Sequence, residues 1–204
     1  MPRHPRLKSH TGIYHIMLRG VNKQNIFQED EDRIKFLSTL ERYKQVCNYQ
    51  VFGYCLMTNH IHLLIKEDEE PISNAVKRIS GSYVFWYNNK YDRIGHLFQE
   101  RFKSEAVDND SYLLTVLRYI HQNPIKAGLC EDLKDYRWSS YNDYLRKSDL
   151  TDTAFIQRLF SENTEQAIRA YCEFMTKEQD DHCLEEDKTI YSDENLDKLL
   201  REFG

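Results

Sequence analysis

Two histidines one residue apart, His60 and His62, are the side chains in this sequence best placed to hold a cation. They lie in Met57-Thr58-Asn59-His60-Ile61-His62-Leu63-Leu64-Ile65, which reads as a β-strand. Alternate strand residues project to opposite faces, so both imidazoles share one side, about 7 Å apart along the strand. Ile61, Leu63 and Ile65 share the other side and can enter a core. On spacing alone His-x-His also fits a polar face turned to water. The apolar flanks favour an interior strand, and a later element supplies what the pair lacks.

That element is Leu117-Arg118-Tyr119-Ile120-His121-Gln122-Asn123-Pro124. Tyr119 and Asn123 are four apart and share a helical face. A phenol ordinarily titrates near 10, so at neutral pH it is a poor nucleophile. A divalent cation beside it favours phenolate and polarises a phosphoryl oxygen. The tyrosine can then attack phosphorus and split one displacement into two through a covalent intermediate. Asn123 offers a hard carbonyl oxygen as a third ligand, and Gln122 is the fallback. Two imidazoles and an amide oxygen would accept Mg²⁺ or Mn²⁺, with Mn²⁺ better matched to nitrogen. The competing reading is bland: the chain has 14 tyrosines, and an asparagine before proline can simply end a helix. His121 points away from Tyr119. His15 could approach the site from its own strand.

The elements that must position these groups are set by periodicity. Ile13 to Arg19 alternates as a first strand, with His15, Met17 and Arg19 on one face. A helix is predicted from Glu29 to about Cys47, with Ile34, Phe36, Leu37, Leu40, Tyr43, Val46 and Cys47 inward and acids crowding its start. Gln50 to Leu56 and the histidine strand form a hairpin around Thr58-Asn59. A second helix runs from Ile72 to Asn89, with Ala75, Ile79, Val84 and Trp86 as core positions. Phe102 to Val107 is a fourth strand. Ser111 to Asn123 is a third helix, entered from Asp108-Asn109-Asp110 and stopped by Pro124. The order β-α-β-β-α-β-α begins as the α+β, ferredoxin-like split β-α-β sandwich. Tyr136 to Tyr141 is aromatic enough to pack back on this body. Helices are expected at 154–159 and 165–175, an acidic linker at 176–190 and a last short helix at 195–203. Residues 1–149 and 150–204 are thus read as a main domain and an acidic, mainly helical extension.

The 204 residues suffice for one domain plus an extension. No apolar run is long enough for a membrane span, and the basic N-terminus has no apolar segment behind it. Five scattered cysteines suit core thiols in a reducing, cytoplasmic setting. The net charge of −5 disfavours nucleic acid, but it is unevenly spread. Residues 1–149 hold 22 Lys and Arg against 19 Asp and Glu, a net +3, while residues 150–204 hold 6 against 14, a net −8. A mildly basic body permits a phosphate-bearing partner.

Several ordered motifs carry a family resemblance. Tyr14-His15-Ile16-Met17-Leu18-Arg19-Gly20, Asp32 to Leu37, and Met57 to Leu64 resemble the single-tyrosine HUH transposases. Gly95 to Lys103, Arg118 to Leu129 and Trp138-Ser139-Ser140-Tyr141 resemble the REP-associated branch of that family. The resemblance covers roughly residues 10–145. It implies a ferredoxin-like, metal-dependent endonuclease and strand-transferase acting on single-stranded DNA. His60 and His62 match the metal-binding pair, Tyr119 the nucleophile that joins the DNA 5′ phosphate, and Asn123 the further ligand. Such enzymes commonly bind hairpins of palindromic repeats beside the cut; many are homodimers, and some of this branch are monomeric.

Arg3, Arg6, Lys8, Arg19, Lys23, Arg101, Lys103 and Arg118 are candidates for a phosphate-tracking surface, with Tyr83, Trp86 and Phe98 as stacking planes. Arg19, Arg101, Lys103 and Arg118 are the DNA-binding candidates nearest the core motifs. Two other readings compete. One is a domesticated hairpin-binding protein without strand transfer; the other is an RNA or phosphodiester processor on the same fold. An intact set of His60, His62, Tyr119 and Asn123 argues against a decayed site.

Overall fold

The computed structural model describes residues 8–99, 101–177 and 183. Four strands, β1 (Ile13–Arg19), β2 (Gln50–Leu56), β3 (His60–Lys66) and β4 (Lys103–Ala106), form one antiparallel sheet in the order β2-β3-β1-β4. Helices α1 (Asp30–Cys47) and α2 (Ile72–Lys90) separate them as β-α-β-β-α-β, and α3 (Asp110–Lys126), α4 (Thr153–Phe160) and α5 (Thr164–Thr176) come after them. The ferredoxin-like expectation is thereby met.

Both faces of the sheet are buried along β1, β2 and β3, which explains why these three strands are apolar almost throughout. On one face Ile16, Leu18, Ile61, Leu63 and Ile65 meet Phe36 and Leu40 of α1 and Ala75, Val76, Ile79, Tyr83 and Tyr87 of α2. On the other, Ile13, Phe52, Cys55 and Leu64 meet Leu113, Val116, Leu117 and Ile120 of α3. A register shift between Val51 and Gly53 marks a bulge in β2. It turns Gly53 toward α3, where a Cβ would stand 2.6 Å from Leu117 Cδ1.

Some helix positions differ from expectation. Ile34 and Val46 are exposed, because the buried stripe of α1 runs through Phe36, Leu40 and Cys47 instead. In α2 the buried stripe is Ile72, Ala75, Val76, Ile79, Tyr83 and Tyr87, so Val84 and Trp86 fall on its shoulders. The phenol of Tyr83 donates to Ile26 O at 2.6 Å, and its ring is fully buried. It offers no stacking plane to a partner, and Phe98 is buried as well. Asp32 is a buried acid in the first turn of α1. It accepts from the Gln28 and Glu29 amides, Lys90 and Tyr91, tying the helix start to the end of α2.

Pro124 does not stop α3, which continues to Lys126. A proline in the last turn removes only one ladder bond. The helix ends where Gly128 takes a positive φ of 67° and the amides of Ala127, Gly128 and Leu129 return to Asn123, Ile125 and Pro124 carbonyls.

The segment from Tyr136 to Tyr141 packs back as expected. The Leu56 amide donates to Trp138 O, and Tyr136 OH donates to Leu56 O. Helices α4 and α5 share the core of α3 through Ile156, Tyr171 and Met175. Cys183 is buried in that same core, at a position that the sequence alone suggests is linker. The expected helix at 195–203 and the rest of the acidic stretch beyond 177 lie outside the described residues, as do Arg3 and Arg6.

Candidate active site

The turn before His60 is held from beneath. The amides of Ile26 and Phe27 donate to Thr58 O, Gly20 N donates to Asn59 O, and Asn59 Nδ2 donates to Lys23 O. A Cβ at Gly20 would collide with Gln24 O, so only glycine lets the β1–α1 loop fold over this turn. Asn59 in turn orients its neighbour. His60 Nδ1 donates to Asn59 Oδ1 at 2.7 Å, which puts the ring's lone pair on Nε2.

His62 lies farther along β3 on the α3 face, fully buried. The centroids of His60 and His62 are 5.0 Å apart with perpendicular planes. Tyr119 comes from α3, whose start is capped by Asn109 Oδ1 accepting from Tyr112 N. Its half-buried ring stands edge-on to His62 at 5.6 Å and to His15 at 5.9 Å. Lys126, seven residues on, lies 5.7 Å from the centroid of the Tyr119 ring. The spacing 119, 123, 126 makes a single helical face in the sequence, but the expectation that Pro124 stops the helix hides Lys126 from it.

Asn123 shares that face. Its Nδ2 donates to Tyr119 O at 2.7 Å, which leaves Oδ1 as the acceptor atom of the side-chain amide. Gln122 is committed elsewhere: its Nε2 donates to Met175 O and Lys177 O. His121 also faces away, buried between Ser140 Oγ at 2.8 Å and Tyr171 OH at 3.0 Å. Burial lowers its pKa to about 3. Arg118 is buried too, with its guanidinium 4.3 Å from the Phe174 ring centroid. Arg118, His121 and Gln122 thus anchor α3 to the segments C-terminal to it. Arg118, suggested as a phosphate contact, lies on the side of α3 that packs against Phe174 of α5. Arg19 pairs in register with His60 across β1 and β3. Arg101 and Lys103 are exposed, and Arg101 lines a cleft with Lys77, Ser73, Asn74 and Phe98.

His15 and His62 are both held below the ordinary imidazole pKa. Desolvation is the main cause for each, and His15 and His60 add repulsion at His62. Both rings are therefore neutral at pH 7, as a metal ligand must be. Among the described residues no three His, Cys, Asp or Glu side chains form a metal-holding group. A cation here would need its third donor from an amide such as Asn123 or from a bound phosphate. The fit is supported by one orphan: His62 Nε2 is buried with no hydrogen-bond partner among the described residues. Buried polar atoms are rarely left so.

The family model described as "Transposase IS200 like" matches residues 8–123. The chain belongs to this family. A protein of Haemophilus influenzae described as a REP-associated tyrosine transposase is 28% identical over 114 residues, spanning 49% of this chain and 65% of that relative. The solved structure of a REP-associated tyrosine transposase bound to a REP hairpin matches with a TM-score of 0.61 at 16% identity, covering 76% of this chain and 96% of that one. At that identity the likeness establishes the fold. No helix among the described residues is long and apolar enough to cross a membrane.

Proposed function

We propose that this transposase is a divalent-metal-dependent, single-stranded DNA endonuclease and strand-transferase, acting next to DNA hairpins through Tyr119. The observation that carries the reading is the Tyr119 ring, held 5.6 Å from His62 on a helix locked to the protein body. A hairpin partner is drawn from the solved relative, which holds a REP hairpin.

His60 and His62 would hold the cation through nitrogen, with Asn123 Oδ1 as the further donor. Bound there, Mg²⁺ or Mn²⁺ would neutralise charge on the scissile phosphate and favour the phenolate. The chain's own residues do the rest. Tyr119 Oη attacks phosphorus, an O–P bond forms, and the P–O3′ bond breaks. The phenol proton is lost and the departing 3′ oxygen gains one, so protons balance. The 5′ phosphate stays on Tyr119 until a 3′ hydroxyl attacks and restores the phenol, which is strand transfer. Lys126 sets a positive charge beside the Tyr119 ring.

The test is a labelled hairpin with a single-stranded flank, incubated with Mn²⁺ and resolved under denaturing conditions. Wild-type protein should give a covalent adduct; Tyr119→Phe should give none while still binding the hairpin. An adduct persisting in Tyr119→Phe would refute the assignment. Hairpin binding without any adduct from wild-type protein would favour a binding protein instead.

A further inference from the structure

His15 is as deeply buried as His62, yet strand transfer by Tyr119 assigns it no task. Its direct partner across β1 and β4 is Glu105, and His62 lies one diagonal step away on β3, where Met17 is the directly paired residue. Three adjacent strands therefore line up Glu105, His15 and His62 on the α3 face. His15 Nε2 is 3.0 Å from His62 Nδ1. His15 Nδ1 faces Glu105 Oε2 at 3.8 Å. Tyr112 also lies close enough to Glu105 to interact with it.

A hydrogen bond between two imidazoles needs one N–H and one lone pair, and a neutral ring has one of each. Two arrangements satisfy the 3.0 Å contact. In the first, His15 Nε2–H donates, His62 Nδ1 accepts, and the His62 proton must sit on Nε2. That nitrogen then has no lone pair for a cation. In the second, His62 Nδ1–H donates and its Nε2 keeps the lone pair. His15 must then carry its proton on Nδ1, the nitrogen that faces Glu105. A carboxylate at 3.8 Å is too far for a direct hydrogen bond. In a buried setting it still attracts an N–H and repels a lone pair. It therefore selects the second arrangement.

Resting on the reading of His60 and His62 as a cation pair, we propose that Glu105 and His15 are positioning residues that hold His62 as its Nδ1–H tautomer and present Nε2 to the cation. Asn59 does the same for His60. Both imidazoles are then oriented through Nδ1 by a neighbour, one by a side chain next in sequence and the other by a relay across three strands.

Long-range ¹H–¹⁵N correlation of the metal-free full-length protein reads the tautomer directly, with His62 assigned from the spectrum of His62→Gln. The expected result is a protonated Nδ1 and an unprotonated Nε2 at His62. A protonated Nε2 would overturn the proposal. Manganese titration followed by electron paramagnetic resonance gives the second readout. His15→Phe should weaken Mn²⁺ binding about 10–100-fold, and His15→Gln, whose amide oxygen can accept from Nδ1–H, should recover most of it. Wild-type protein that binds Mn²⁺ no better than His15→Phe also overturns the proposal. Wild-type protein that binds none removes the cation reading itself, so the two failures are distinct. If His15→Phe does not fold, the wild-type tautomer decides.

Discussion

Lowering the pH from 7 to 5 should destabilise this protein through histidines that cannot charge inside it. His121 is the clearest case. It is fully buried between Ser140 and Tyr171, and desolvation lowers its pKa to about 3. In the unfolded chain it would titrate near 6.5. The folded pKa lies below the unfolded one, so the contribution is complete above about 6.5 and is lost as pH falls toward the folded value. Between those limits the unfolded state binds one more proton, and stability falls by about 1.4 kcal/mol per pH unit. From pH 7 to 5 that is about 2 kcal/mol for His121 alone, a large share of a typical total of about 5–15 kcal/mol. His15 and His62 shift in the same direction and steepen the fall. Urea unfolding in metal-free buffer at pH 7, 6 and 5 measures the slope. His121→Gln keeps a side chain able to hydrogen-bond and removes the titration, so its slope should be shallower by about 1.4 kcal/mol per unit. Equal slopes for wild type and His121→Gln would refute the reasoning.

Two further substitutions probe how α3 is held. Gly53→Ala places a methyl 2.6 Å from Leu117 Cδ1 in a filled core. Overpacking costs roughly 1–3 kcal/mol, more than the roughly 0.5–1 kcal/mol that alanine gains over glycine in a strand, so the urea midpoint should fall; an unchanged midpoint would show that Leu117 moves aside freely. Arg118→Met should lower the melting temperature but leave the salt dependence of hairpin binding unchanged, because the guanidinium lies on Phe174. Arg101→Met should instead reduce the magnitude of the log–log salt slope by about one if that side chain meets a phosphate, a difference that affinity titrations at several salt concentrations resolve.

The local parts of the site are readable in one dimension. His60 and His62 share a face because strands repeat every two residues, and Tyr119 and Asn123 share one because a helix brings residues four apart to the same side. The antiparallel hairpin around Thr58-Asn59 and the β-α-β-β-α-β order come from the same periodicities. Inner and outer positions within helices are less legible. Val84 and Trp86 are as apolar as Tyr83 and Tyr87, and only the angle at which α2 meets the sheet sends the tyrosines inward. Pro124 misleads in the same way: its effect depends on how much helix remains, and less than a turn remains before Lys126.

The sequence by itself determined the strand and helix periods, the paired imidazoles and the tyrosine face, since each of these depends on residues within a turn or two of one another. Tertiary structure alone decided that Arg118, His121 and Gln122 bind α3 to the protein body and that His15 reaches His62 across a strand diagonal. The physical reason is that burial and cross-strand register are set by distant segments. A polar side chain at a given position becomes a solvated charge or a buried hydrogen-bonding group according to what folds over it.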